Sequence, residues 1–121
     1  MVARQRGLIR PKDIETLPSN HQRQLPVRGT KDEIDHRPVV RLYLPFTGCC
    51  WLLSELESPD IAFGLCDLGV GFPELGSVWL PELEELCHPH GLRVLQDVDF
   101  RARSTIGEYA RIAHQQGRIV T

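Results

Sequence analysis

Cysteine and histidine side chains are the first candidates for chemistry, because both bind zinc. The run Cys87-His88-Pro89-His90 places three such side chains together, and three more cysteines stand at Cys49, Cys50 and Cys66. A closed zinc site is typically built from two pairs with spacing such as Cys-x₂-Cys, whereas adjacent cysteines in a strand point to opposite faces. The spacing therefore predicts no metal and no other cofactor. We interpret the cysteines as free thiols, because no export signal accompanies them.

Carboxylates offer a second kind of site, in which a divalent metal ion activates water. Asp97 and Asp99 project from one side of a predicted strand and would hold Mg²⁺ together with Asp60, Asp67 or Glu74. No lysine or histidine accompanies them on that strand, so we favour a solvent-facing sheet edge. A divalent-metal-dependent nuclease or hydrolase that uses these central carboxylates is the first alternative function. No nucleophile-elbow pattern and no phosphate-binding glycine loop is present, so no catalytic residue is predicted.

Charge is distributed unevenly along the chain, although the formal net charge is only -2. Residues 52–99 hold ten acidic residues against Arg93 alone, a net charge of -9. Residues 1–51 hold nine basic residues against five acidic ones, and four arginines follow residue 99. A negative region of this size attracts basic partners and repels nucleic acid. We therefore expect an exposed acidic surface that engages a basic protein partner, and the residues assigned to it are Glu55, Glu57, Asp60, Asp67 and Glu74.

The residue pattern predicts a small α+β domain over residues 38–117. Runs of β-branched and aromatic residues indicate strands at 39–44, 49–55, 61–66, 77–80 and 92–100. The turn at 45–48 is too short for a parallel crossover, so the first two strands form an antiparallel hairpin. A short helix begins near Pro81, and Thr105 with Glu108 forms a capping box for a last helix that ends at Gly117. We expect a mainly antiparallel sheet of about five strands with both helices packed on it.

Residues 1–37 are predicted to form a flexible, polar arm outside this domain. The arm contains Pro11, Pro18 and Pro26 and few clustered apolar side chains. At most one short helix is expected, from Lys12, because a preceding proline suits the first helical position, and Pro18 ends this helix early. The arginines of this arm and of the C-terminal segment provide a second alternative function, which is weak contact with nucleic acid.

No segment is long and apolar enough to predict a membrane span, and Met1–Arg10 lacks the pattern of a secretory signal. We therefore expect a cytoplasmic protein without membrane contact. Most aromatic side chains stand beside apolar neighbours, which favours core packing, although one exposed Trp or Phe would suit an interface.

Three motifs in the middle of the chain are long and unusual. They are Trp51-Leu-Leu-Ser-Glu-Leu-Glu57, Asp60-Ile-Ala-Phe-Gly-Leu-Cys-Asp-Leu-Gly69 and Gly71-Phe-Pro-Glu-Leu-Gly76. Through these motifs, residues 38–112 resemble the bacterial domain-of-unknown-function family 2958. The family has no established activity, and its members are typically small proteins encoded on plasmids and other mobile elements, near anti-restriction genes. The arginine-rich arm extends beyond the family core that the resemblance implies.

The charge pattern and the resemblance together lead to one functional hypothesis. The chain is expected to be a non-catalytic binding or regulatory protein of a mobile genetic element, of the anti-restriction or anti-activator type. Its acidic surface would engage a basic protein surface. The hypothesis depends on the carboxylates gathering on one exposed surface.

Overall fold

The computed structural model describes residues 7–86 and 90–121. The fold is α+β, as predicted, and consists of a five-stranded antiparallel sheet with helices on it. In chain order the elements are α1 (Pro11–Gln24), a 3₁₀ turn (Leu25–Val27), β1 (Val40–Tyr43), β2 (Cys49–Ser58), β3 (Ile61–Leu68), β4 (Glu74–Trp79), α2 (Leu80–Glu85), β5 (Leu95–Gln96) and α3 (Ile106–Gln116).

The strands lie in the order β4-β3-β2-β1-β5, and each neighbouring pair is antiparallel. The predicted hairpin between β1 and β2 is confirmed, with Tyr43 opposite Cys50 and Val40 opposite Leu53. β1 begins at Val40, whereas β2 continues beyond Leu53 for five more residues to Ser58. The last part of β2 therefore lacks a β1 neighbour, and other groups must bond to its backbone.

Alternation of side chains along β2 divides the core between the two faces of the sheet. On one face Leu53 packs in a cluster with Leu17 of α1. On the other face Leu52 packs in a cluster with Tyr109 of α3. None of the described helices has the length and apolar character that a bilayer crossing requires.

Two expectations about the N-terminal 37 residues are wrong, namely that a helix there ends at Pro18 and that this part of the chain lies outside the core. α1 continues through Pro18 for a total of 14 residues, and Leu17 is completely buried. Proline removes one backbone hydrogen bond from a helix interior, but Asn20 and His21, one turn later, are both buried and bonded to β2. These tertiary contacts outweigh the local preference, so α1 belongs to the core rather than to an arm outside it.

The fifth strand is much shorter than the predicted range 92–100. Only Leu95 and Gln96 pair with β1, because the chain turns at Asp97. The carboxylate of Asp97 accepts a hydrogen bond from the backbone N–H of Asp99, and the Asp97 carbonyl accepts one from Phe100. This local bonding is typical of a turn that competes with strand pairing.

The last helix begins and ends where the sequence predicts. Thr105 caps α3 by accepting a hydrogen bond from the backbone N–H of Glu108 at 3.3 Å. Gly117 follows the helix with φ 74°, a left-handed conformation that glycine adopts without steric cost. Both ends of α3 are therefore determined by local sequence.

Candidate partner-binding pocket

The five carboxylates expected to share an exposed surface do not do so. Glu55 and Asp67 are buried, with exposed fractions of 4% and 2%, so the expectation of exposure is wrong for both. Asp67 accepts hydrogen bonds from the backbone N–H groups of Gly69 at 2.8 Å and Ile119 at 2.9 Å, which fastens the C-terminal segment to β3. Its carboxylate therefore has a structural role.

The remaining carboxylates of that set are spread along the sheet. Glu55 is opposite Phe63, while Glu74 is opposite Cys66, three residues further along β3. Three residues of a strand span about 10 Å. Glu57 is exposed near the β2–β3 turn, where the carbonyl of Asp60 accepts a hydrogen bond from the N–H of Leu80. Only Glu55 and Glu57 of the five line a common pocket.

Side chains of α1 bond to the part of β2 that lies beyond its pairing with β1. Asn20 donates through Nδ2 to the carbonyl oxygen of Ser54 at 3.0 Å, in the position that a neighbouring strand would occupy. His21 follows, with Nδ1 3.1 Å from Oε1 of Glu55. The register of β2 against β3 shifts between Leu53 and Glu55, which is typical of a β-bulge.

A small charged network surrounds Glu55. Its Oε1 atom lies 3.1 Å from His21 Nδ1 and 3.8 Å from Arg28 Nη2. Arg28 Nη2 also lies 3.4 Å from His21 Nδ1. A guanidinium can only donate hydrogen bonds, and His21 Nδ1 donates to Glu55 in the shorter contact, so Nδ1 is not free to accept one from Arg28. Arg28 therefore interacts with Glu55 across a gap that exceeds hydrogen-bonding distance.

A pocket of about 430 Å³ opens beside this network. Its apolar lining includes Ile34, Phe63, Leu75 and Ile106. Its acidic lining consists of Glu33, Asp35, Glu55 and Glu57. Arg28 is the single arginine or lysine among the described residues that line it. The pocket therefore combines apolar walls with an excess of negative charge, which suits a cation on an apolar stem.

The first residues of α3 take part in lining the pocket. The N-terminus of α3 forms one wall, where the N–H of Ile106 donates to the carbonyl of His36 at 2.7 Å. The N–H of Gly107 donates to the carboxylate of Asp35 at 2.9 Å. These bonds fix the segment before β1 against α3. On the opposite side, Leu75 and Ser77 of β4 stay exposed.

Gln24 holds the same segment from α1. Its amide donates to the carbonyl of Ile34 at 2.6 Å and accepts from the N–H of Ile34 at 2.9 Å, as a paired strand residue would. His36 is buried, with Nε2 3.1 Å from the carbonyl of Asn20. Nearly half of the described residues that line the pocket therefore come from the part of the chain that the sequence assigned to an arm.

The alternative metal site is not assembled. Asp97 pairs with Arg41 at 3.3 Å beside β1 and β5, whereas Asp67 is bonded to backbone groups on β3's side of the sheet. Within residues 7–86 and 90–121 no group of three histidine, cysteine or acidic side chains is placed to hold a metal ion. The alternative in which Asp97 and Asp99 join Asp60, Asp67 or Glu74 at a metal ion gains no support from these residues.

Two of the described cysteines, Cys50 and Cys66, are not activated thiols. Cys49, Cys50 and Cys66 are free thiols. Burial raises the pKa of the Cys50 thiol to about 11, and burial together with Glu74 raises that of Cys66 to about 11. Both thiols are protonated at neutral pH, so neither is activated. The segment Cys87-His88-Pro89 lies outside the described residues.

Several arginines of the predicted nucleic-acid contact are engaged within the protein. Arg10 pairs with Asp13, Arg23 donates to Asn20, and Arg28 lies beside Glu55. Each of these side chains contributes to the packing of α1 or the segment after it. Arg4 and Arg6 lie outside the described residues.

Two loops of the sheet carry exposed phenylalanine side chains. Phe46 in the β1–β2 turn is 94% exposed, and Phe72 in the β3–β4 loop is 78% exposed. The two loops meet, because Gly48 and Gly69 approach closely. Phe46 also has φ 62°, which is unfavourable for a bulky residue. The expectation of an exposed aromatic is met at Phe46, Phe72 and Trp79.

A family model matches residues 8–120. The chain belongs to the family DUF2958, described as a protein of unknown function. The match confirms the resemblance and extends it to α1, so the expectation that the N-terminal residues lie beyond the family core is wrong from residue 8 onward. No curated protein matches the chain. No solved structure matches it either.

Proposed function

We propose that this DUF2958 protein is a non-catalytic binding protein whose pocket holds a basic segment of a protein partner. The observation that carries the proposal is the lining of the pocket, in which four carboxylates face one arginine among apolar walls. Glu55 and Glu57, two of the residues assigned to partner binding, both belong to it.

Electrostatics supports a cationic segment. Glu33 and Asp35 accept backbone hydrogen bonds from Gly29 and Gly107, which hold both carboxylates in place at the pocket. Glu57 is exposed and contributes a further charge at the rim. A concave surface with one sign of charge raises the local concentration of oppositely charged ligands and speeds their association.

The apolar walls favour a cationic amino-acid side chain as the ligand over a small inorganic cation. Lysine and arginine carry their charge on three or four methylene groups, which pack against apolar surface while the charged end meets a carboxylate. Phe63 and Leu75 supply such surface at the side of the pocket formed by β3 and β4. The pocket volume of about 430 Å³ accommodates a side chain together with adjacent backbone.

The identity of the partner is part of the proposal. The occurrence of the family on plasmids and other mobile elements, which the resemblance implies, supports a bacterial cytoplasmic partner that itself handles DNA. A protein whose basic surface otherwise holds nucleic acid would present the required charge. Binding of that surface would interfere with restriction or with transcriptional activation, as in an anti-restriction or anti-activator protein.

Peptide binding tests the proposal with the full chain. We expect a fluorescent peptide of alternating arginine and leucine to bind, and a matched glutamate and leucine peptide not to bind. Raising the salt from about 50 mM to about 500 mM should weaken binding, because screening reduces attraction between exposed charges. Fluorescence anisotropy measures each affinity.

Charge reversal locates the binding. Glu57→Lys should weaken the arginine peptide roughly tenfold, whereas Glu82→Lys, an exposed acidic position on α2 outside the pocket, should have little effect. Equal affinity of the original protein and Glu57→Lys, together with salt-independent binding, would refute the proposal.

A further inference from the structure

Arg28 brings the protein's own guanidinium to the pocket. Its Nη2 atom lies 3.8 Å from Glu55 Oε1, and its side chain is 49% exposed while that of Glu55 is 5% exposed. The pair therefore joins a half-exposed cation to a buried anion. An internal group with the chemistry of a ligand often occupies the site that the ligand would take.

Glu55 keeps acceptor capacity in this arrangement, because a carboxylate offers about four lone-pair sites. Its Oε1 atom lies 3.1 Å from His21 Nδ1 and 3.8 Å from Arg28 Nη2. Burial of a carboxylate is costly unless its oxygens are hydrogen-bonded, and Arg28 stays beyond hydrogen-bonding distance. Glu55 therefore lines the pocket with capacity to accept a further hydrogen bond.

We propose that the pocket binds the guanidinium of a partner's arginine at Glu55 and Glu57, and that Arg28 is a resident competitor which this arginine displaces. The inference rests on the proposed function and specifies the side chain that the pocket selects. Arg28 then limits affinity, because each binding event must first break its contact with Glu55.

The geometry favours arginine over lysine. A guanidinium is a planar fork that donates to two carboxylate oxygens at once and stacks on aromatic rings, whereas an ammonium is a strongly hydrated point charge. Glu55 and Phe63 are opposite each other across β2 and β3, so a carboxylate and an aromatic ring adjoin in the same pocket. This combination matches the planar cation.

Arg28 is placed where it can leave the pocket. It follows the 3₁₀ turn and precedes Gly29, which has φ 77°, and no helix or strand includes residues 28–39. A half-exposed ion pair contributes little, so the penalty for displacing Arg28 is roughly two- to fivefold in affinity. Removing Arg28 should recover that factor.

Nuclear magnetic resonance titration of the ¹⁵N-labelled full chain tests the inference with methylguanidinium chloride and methylammonium chloride. We expect methylguanidinium to shift the amide signals of Glu55, Glu57 and Phe63 saturably, and methylammonium to bind more weakly. Arg28→Ala should bind methylguanidinium about two- to fivefold more tightly. Arg28→Gln provides a second variant that keeps side-chain bulk, and Lys31→Ala, an exposed position in the same segment, should change nothing.

Each result decides between the proposals. Equal binding of the two cations, shifts that are not saturable, or unchanged affinity in both Arg28 variants would overturn the inference. If methylguanidinium fails to bind while the arginine peptide still binds in a Glu57-dependent manner, the proposed function stands and only the guanidinium site is refuted. If neither binds, both proposals fail.

Discussion

His21 Nδ1 lies 3.1 Å from Glu55 Oε1, and the two side chains are only 6% and 5% exposed. The contact joins α1 to the part of β2 that has no β1 neighbour. A buried carboxylate depends strongly on its partner, because loss of that partner leaves a charge away from water. The same interaction therefore contributes both to the wall of the pocket and to the attachment of α1.

Replacement of His21 should destabilise the protein strongly. We expect His21→Ala to lower the free energy of unfolding by about 3 kcal/mol, because Glu55 stays buried without its donor. The double variant His21→Leu/Glu55→Leu should recover most of this loss, since no unpaired charge remains. Urea denaturation followed by circular dichroism measures both. A loss below about 1 kcal/mol for His21→Ala would show that water replaces the histidine.

Leu17 tests whether α1 is part of the core. Its side chain is completely buried among β-sheet residues, whereas Leu25 at the end of the same helical segment is 47% exposed. We expect Leu17→Ala to cost about 2 to 5 kcal/mol of unfolding free energy and Leu25→Ala less than about 1 kcal/mol. Thermal unfolding of both variants provides the comparison. Small and equal losses of unfolding free energy in the two variants would show that α1 lies outside the core.

The strands between Val40 and Trp79 are predictable because their signals are local. Apolar alternation, β-branched residues and turn residues locate these strands without knowledge of the rest of the chain, although β4 begins at Glu74, three residues before its predicted start at 77. The capping box of α3 is equally local, since Thr105 and Glu108 belong to the same turn. The family resemblance rests on this region for the same reason.

The pocket is not predictable by the same reasoning, because α1 attaches through polar side chains. Its buried face carries Asp13, Leu17, Asn20, His21 and Gln24, of which one is apolar. These positions recur with helical spacing, so the sequence does contain a periodic signal for a buried helix face. A search for an apolar stripe misses this signal because most of the side chains are polar. These side chains bond to Ser54, Glu55 and Ile34. Ser54 and Glu55 are distant in sequence, and Ile34 lies in a segment without the periodicity of a helix or strand.

Thiol reactivity should report the burial of Cys50 and Cys66. Their pKa values are raised from 9.0 to about 11, so at pH 8 each should react with iodoacetamide roughly 100-fold more slowly than in the unfolded chain. Variants that retain a single cysteine, with serine at the other three positions, separate the individual rates by mass spectrometry. Fast reaction of Cys50 in the folded protein at pH 8 would contradict its burial.

The same shift has a consequence for stability. The folded state binds the thiol proton more tightly than the unfolded state, because the folded pKa is the higher one. This contribution to stability is therefore complete below about pH 9 and is lost as the pH rises toward about 11. The variant Cys50→Ala should therefore lose less unfolding free energy than the original protein as the pH rises from about 9 to about 11. An equal loss in both proteins would show that groups other than Cys50 cause the decline.

Gly64 and Gly76 are opposite each other across β3 and β4, but only Gly64 is required to be glycine. A Cβ atom at Gly64 would lie 1.9 Å from the carbonyl oxygen of Leu52, a backbone atom that cannot move aside, whereas one at Gly76 meets nothing within 4 Å. We expect Gly64→Ala to lower the free energy of unfolding by about 3 kcal/mol or more, and Gly76→Ala to change it by less than about 0.5 kcal/mol. Chemical denaturation of the two variants compares the same substitution at neighbouring positions.

The same substitution should also affect the pocket, because Leu52 and Leu53 precede the bulge that presents Glu55. We expect Gly64→Ala to weaken binding of the arginine peptide. Unaltered affinity in a folded Gly64→Ala variant would show that the pocket does not depend on the close approach of β2 and β3.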